Sequence, residues 1–76
     1  MKYSEELAIR EAVSNGDADL LERTIEGMGR FADYDEILNV VCDIPGSWKH
    51  VDVVGDIHVG HVTVRNHFGS PQVVRS

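Results

Sequence analysis

The chain has 76 residues, a formal net charge of −6 and 42% hydrophobic residues. A chain of this length forms one domain with a small core, which excludes a catalytic cleft between two lobes. Its apolar runs are shorter than the roughly 18 residues of a membrane span, and its polar, acidic first residues are unlike a secretory signal. We therefore expect a single compact domain over 1–76 that has no membrane partner.

Acidic residues are concentrated in the N-terminal part. Residues 1–43 hold eleven Asp and Glu against four Lys and Arg, whereas residues 44–76 hold two acids, three bases and all four histidines. A negative chain does not bind nucleic acid through bulk charge, so we expect no direct nucleic-acid partner. Such asymmetry favours a polar protein partner instead.

The chain has one cysteine, Cys42. It cannot form an internal disulfide, which favours a reducing, cytoplasmic compartment. Its neighbours are apolar, so we expect it to be a small buried side chain.

Three short helices are predicted in the acidic part, 1–43. Ser4 is the expected N-cap of the first, and Gly16 follows its end, where glycine adopts the left-handed conformation at low cost. Asp17 is the expected cap of the second helix, and Asp33 with Glu36 forms a capping-box pattern for the third. Apolar residues recur at helical intervals and give each helix a buried face: Ile9, Ala12 and Val13, then Leu21, Ile25 and Met28, then Tyr34, Ile37, Leu38 and Val41.

The join between the first two helices has the sequence EAVSNGDADLL, residues 11–21. It resembles the helix–Asn-Gly-Asp–helix join of ankyrin-type repeats. The pattern does not recur downstream, and such solenoids need about three repeats. The resemblance therefore implies only a tight helical hairpin.

The second part, 47–76, predicts an antiparallel meander of three to four strands. Val and Ile alternate with polar residues over 51–64, with Gly60 as a turn or bulge. A turn over 68–71 would lead to an edge strand over 72–75. With the three helices packed on one face of this sheet, the fold class is α+β.

The first sheet loop is predicted at residues 54–56. This loop would pair Val53 with Ile57 and Val51 with Val59, which keeps all four apolar side chains on one face. It would also place Asp52 opposite His58. Such a pair can act as an acid–base couple, but no serine or cysteine nucleophile adjoins it, so we expect no catalytic residues.

Two further kinds of site, a metal site and a phosphate-binding loop, have incomplete sequence patterns. His50, His58 and His61 are candidate metal ligands, but a structural zinc site requires four ligands, usually in two close pairs. We therefore expect no metal and no cofactor. Gly27 and Gly29 lack the third glycine and the preceding strand of a phosphate-binding loop.

Acidic side chains are the candidate partner-binding residues. Carboxylates one helical turn apart, about 5.4 Å, approach the phosphate spacing of about 3.4 Å along a DNA strand, so they can compete for a basic groove. Three lie on one face of the second helix and three in the first turn of the third: Asp19, Glu22 and Glu26, then Asp33, Asp35 and Glu36.

Phe31 and Trp48 fit no periodic face. Because a small domain needs its large apolar groups, we expect both, with Met28 and Tyr34, to close the ends of the core. The alternative is that one of them is a partner-facing anchor.

In size, charge and its single reduced cysteine, the chain resembles the small acidic inhibitors that phages encode, such as anti-CRISPR proteins. The resemblance is one of class and involves no shared motif. It implies a non-enzymatic, cytoplasmic inhibitor, in effect a DNA mimic, that occupies a basic surface of a larger protein such as a nucleic-acid-binding effector complex. Two alternatives remain open: a small His-based metal-binding domain, and a structural or assembly subunit of a virion or larger complex that pairs through the 72–75 edge.

Overall fold

Three helices precede a three-stranded antiparallel sheet in the structure, a computed structural model that describes residues 1–75. The α+β class is therefore confirmed. The elements are α1 (Tyr3–Asn15), α2 (Ala18–Met28), a 3-10 turn (Gly29–Phe31), α3 (Tyr34–Cys42), a second 3-10 turn (Ser47–His50), β1 (Ile57–Val59), β2 (Val62–His67) and β3 (Ser70–Arg75). The strands lie in the order β1-β2-β3. No helix within 1–75 is both long enough and apolar enough to cross a bilayer.

Two of the three predicted helix caps are confirmed. The Asp17 carboxylate accepts from the amide of Leu20 at 3.0 Å, and Asp33 accepts from the first-turn amides of α3. The prediction of Ser4 as the cap of α1 is wrong, because the helix already begins at Tyr3. The Glu5 carboxylate accepts from the Lys2 amide at 2.8 Å, which satisfies the start of the helix before Ser4 is reached.

All three helices lie over one face of the sheet. α1 packs against α2 and α3, which in turn contact the strands. The sheet presents four fully buried side chains to them: Ile57, Val59, Val62 and Val64. Gly60, with φ of 56°, begins the predicted turn between β1 and β2. A Cβ there would lie 3.2 Å from the Cβ of Ala18, so this turn packs closely on α2.

The predicted register before β1 is wrong. Val51, rather than Val53, lies opposite Ile57, and the loop occupies 53–55. The Asp52 carboxylate accepts from the amides of Val54 and Asp56 at 3.0 and 2.9 Å. This side-chain turn closes the loop one residue earlier than predicted and leaves Val53 and Val54 exposed.

The turn from β2 to β3 consists of Phe68 and Gly69, both with positive φ, so β3 begins at Ser70 rather than at 72. The residues that flank a two-residue hairpin turn form a hydrogen-bonded pair. The backbone amide and carbonyl groups of Ser70 therefore point towards β2, and the backbone groups of residue 71 point towards the free edge. Pro71 has no amide hydrogen to offer there, as is typical of edge strands.

Three side chains expected in the core are exposed instead: Phe31, Cys42 and Trp48. Met28 and Tyr34 are buried as predicted. Phe31 lies outside because Gly29, with φ of 58°, turns the chain away at the end of α2. Cys42 follows the buried Val41 and ends α3 on its exposed side.

Candidate protein-binding surface

Tyr34, the first residue of α3, joins two loops of the sheet part. Its amide donates to the carbonyl oxygen of Gly69 at 3.2 Å, and its buried hydroxyl donates to the carbonyl oxygen of Gly55. Burial, with smaller contributions from the charges of Asp56 and Asp52, raises the pKa of Tyr34, so the hydroxyl stays protonated as a donor. The 53–55 loop and the β2–β3 turn are thus both attached to the start of α3.

The start of α1 and the end of α2 also lie near the first turn of α3. The amino group of Met1 is 2.6 Å from the carboxylate of Glu36, in the first turn of α3. Met1 and Lys2 also share a shallow groove with Met28 and Phe31. Four segments of the chain therefore meet around one helical turn.

These four segments carry most of the large apolar side chains that the fold leaves outside. We call this set the apolar end; its members and exposed fractions are Tyr3 73%, Phe31 80%, Val53 105%, Val54 82% and Phe68 96%. Single exposed apolar residues are ordinary. Contiguous exposed apolar patches are typical of interaction surfaces, and here Val54 and Phe68 adjoin Gly55 and Gly69, the two residues that Tyr34 contacts.

Three of the predicted partner-binding acids lie in that same turn of α3. Asp35 is exposed on it, Asp33 caps it through the amides of residues 35 and 36, at 2.9 and 3.3 Å, and Glu36 pairs with the amino group of Met1. Asp33 and Asp35 flank Tyr34 and so adjoin the two attached loops. Carboxylates therefore border the apolar end.

The other three predicted acids lie on α2, and two of them make contacts within the fold. The Arg75 guanidinium lies 2.7 Å from Glu22 and 3.8 Å from Asp19, and His61 Nε2 lies 3.4 Å from Asp19. Glu26, in the last turn of α2, is exposed. The six acids therefore form two groups, and β3 supplies a positive charge to the group on α2.

The predicted Asp52–His58 contact is present despite the changed register. His58 Nε2 lies 2.9 Å from Asp52 Oδ2, and His58 Nδ1 lies 3.1 Å from the hydroxyl oxygen of Thr63. The hydrogen bond from His58, aided by the amides of Asp56 and Val54, lowers the pKa of Asp52 below its ordinary value of 3.8. This network ties the 53–55 loop to the sheet. Although it joins a carboxylate, an imidazole and a hydroxyl, Thr63 is 8% exposed, which hinders access to it as a nucleophile.

The group of side chains whose geometry suits a cation differs from the predicted histidine set. Within residues 1–75 it consists of Asp52, Asp56 and His58, whose ligand atoms lie within 4.8 Å of one another. Of the predicted ligands, it contains only His58; His61 instead contacts Asp19. The Arg65 guanidinium lies 3.3 Å from Asp56, so a cation would have to compete with it.

The structure exposes Val53, Val54 and Phe68, none of which the sequence singles out for partner binding. The sequence places Val53 in a strand and Val54 in the loop, because the alternation of apolar residues gives no sign that Asp52 closes the loop early. The Phe68-Gly69 turn signal did indicate an exposed position.

Comparison with protein-family models, curated proteins and solved structures gives no match.

Proposed function

We propose that this protein is a non-enzymatic binding protein of the cytoplasm that occupies a basic surface of a larger protein partner. The observation that carries the proposal is the meeting of exposed apolar side chains and acidic residues at the first turn of α3. The apolar members supply area that association can bury, at about 25 cal/mol per Å². The acids supply attraction to a basic partner and discriminate against acidic ones.

The partner we propose is a nucleic-acid-binding effector, because the grooves of such proteins are lined with Lys and Arg that attract carboxylates. Inhibition would then be stoichiometric, as in the anti-CRISPR class. Asp35 and Glu26 are exposed, whereas the Glu36 carboxylate is paired with the amino group of Met1. Asp19 and Glu22 contribute less, since Arg75 offsets their charge.

The experiment has two stages. The immobilised chain is used to capture proteins from a candidate host lysate, and mass spectrometry identifies them. The affinity of each purified candidate is then measured at low and high salt. We expect affinity to fall steeply with salt and to fall for Asp35→Asn. Glu11→Gln is the matched control, because Glu11 is exposed on α1 away from this turn. An affinity that is flat across salt and unchanged in Asp35→Asn contradicts the proposal.

The assembly-subunit alternative has weaker support from the sheet edge. Pro71 removes one of the three outward-facing amide positions of β3, and Arg75 at its end is engaged with α2. Sedimentation velocity over a range of concentrations tests it, since self-association favours the subunit and a persistent monomer favours the inhibitor.

A further inference from the structure

The tip of the β2–β3 hairpin has an unusual residue at its first position. Phe68 has φ of 53° and Gly69 has φ of 85°. A turn with two positive φ angles favours Asn, Asp or Gly, because a Cβ crowds the backbone in the left-handed region. A bulky aromatic residue in that region is a genuine outlier.

The fold offers this residue little compensation. The Phe68 side chain is 96% exposed, and its ring forms a T-shaped pair with the neighbouring His67 ring at a centroid distance of 4.8 Å. The turn itself is held by other groups, since the Gly69 amide donates to the Asn66 side chain at 2.8 Å. Glycine at position 68 would relieve the strain and lose only the contact with the exposed His67 ring.

The hairpin tip is also held firmly in place. The Gly69 carbonyl accepts from the amide of Tyr34 at 3.2 Å, so the turn is fixed to the body of the domain on the side of α3. Val54 lies next to Gly55, the other residue that Tyr34 contacts. Because the backbone of the turn is already held, a partner that buries the Phe68 ring does not have to order the turn as well.

We propose that Phe68 is an anchor that inserts into an apolar pocket of the protein partner, with Val54 as a second contact and with Lys or Arg side chains of the partner around the pocket. This inference rests on the proposed function and adds the residue that makes the central contact. The Lys and Arg side chains around the partner's pocket are inferred from charge complementarity. Asp33 and Asp35 flank Tyr34, and Asp52 supports the neighbouring loop.

Other occupants fit these charges less well. A second copy would bring the same carboxylates together in two chains that each carry a net charge of −6. Anionic lipid headgroups and nucleic-acid phosphates would be repelled by the same acids. A protein with basic side chains around an apolar pocket can bury the Phe68 ring and pair with the carboxylates.

The test uses the full chain labelled with ¹⁵N and, as a defined probe, a synthetic amphipathic peptide of Leu and Lys. We expect peptide-induced amide shifts to cluster at 53–55 and 67–69 and to be absent at the opposite turn, 60–61. Phe68→Gly is expected to weaken peptide binding by about tenfold or more, as for interface anchors, and to raise the melting temperature. Trp48→Ala is the matched control, because Trp48 is 74% exposed on a different segment, and its affinity should stay within about twofold of the native value.

Several outcomes would overturn the anchor. These are native affinity in Phe68→Gly, a lowered melting temperature in that variant, shifts centred on 60–61, concentration-dependent dimerisation through the tip, or binding to anionic vesicles that requires Phe68. Failure of the anchor is distinguishable from failure of the proposed function. If Phe68→Gly keeps the native peptide affinity while binding stays salt-sensitive and is weakened by Asp35→Asn, only the anchor is refuted. If binding is independent of salt in every variant, the anchor and the proposed function are both refuted.

Discussion

The amide nitrogen of Tyr34 lies 3.2 Å from the carbonyl oxygen of Gly69, so the first residue of α3 is hydrogen-bonded to the tip of the β2–β3 hairpin. The amides at the start of a helix have no partner within the helix. Here one of them is satisfied by a turn far away in sequence. The proposed binding surface is therefore assembled by tertiary contacts at Tyr34, and disturbing this residue should affect both attached loops.

Tyr34→Phe tests the hydroxyl contact with Gly55. The ring remains in the core, but the buried donor is lost and the Gly55 carbonyl loses a partner. We expect a loss of about 1 kcal/mol in the free energy of unfolding, measured by urea denaturation, and faster amide exchange in the 53–55 loop. Tyr3→Phe is the control, since Tyr3 is exposed. Equal stability of the two variants would show that the hydroxyl contact does not hold the loop.

Asp52→Asn tests the network that closes the 53–55 loop. The pKa of Asp52 is lowered in the folded state, mainly by the hydrogen bond from His58. The unfolded chain therefore takes up a proton at higher pH than the folded chain does. The stabilisation is present above the ordinary pKa of 3.8 and is lost as the pH falls through the folded-state value.

We therefore expect the melting temperature of the native chain to fall more steeply below pH 3.8 than that of Asp52→Asn. The measurement is thermal unfolding by circular dichroism across the acid range. Val54→Ala, an exposed change in the same loop that alters no ionisable group, serves as the control and should keep the native slope. Parallel acid limbs for Asp52→Asn and the native chain would contradict the role assigned to this carboxylate.

Glu22→Gln tests the contact between α2 and β3. The Glu22 side chain is 14% exposed and lies 2.7 Å from the Arg75 guanidinium, so removal of its charge weakens a partly buried charge-assisted hydrogen bond. We expect a loss of about 1 kcal/mol in stability, with a smaller loss at high salt. Glu26→Gln, an exposed change on the same helix, should remain within about 0.5 kcal/mol of the native value. A reversed order of these two variants would refute the assignment of Glu22 to the fold and Glu26 to the surface.

Local chemistry made the helices predictable. Asp17 and Asp33 have carboxylates that reach amides three residues ahead, and the spacing of Leu21, Ile25 and Met28 defines a buried face without knowledge of the rest of the fold. The Gly60 turn was predictable for a similar reason, because Val59 and Val62 must share a face although they lie three residues apart.

The loop before β1, the Arg75–Glu22 contact and the exposure of Phe31 depend on alternatives that the sequence pattern does not distinguish. Loops at 53–55 and at 54–56 both keep Val51 and Ile57 on the same face, and the Asp52 side chain decides between them. The Arg75–Glu22 contact joins residues 53 positions apart, which no local signal reports. Composition suggested that Phe31 would be buried, but the direction of the chain after Gly29 determines its exposure.

Pro71 has a consequence for the behaviour of the chain at high concentration. Growth of a cross-β fibre requires each added strand to find a row of free backbone donors at the edge of the previous one. With Pro71 at an outward position, β3 offers donors only at Val73 and Arg75, and the second of these carries a charge. This edge is too short and too interrupted to act as a template for stacking, so crowded molecules of this protein should not form fibrils by adding strands to β3.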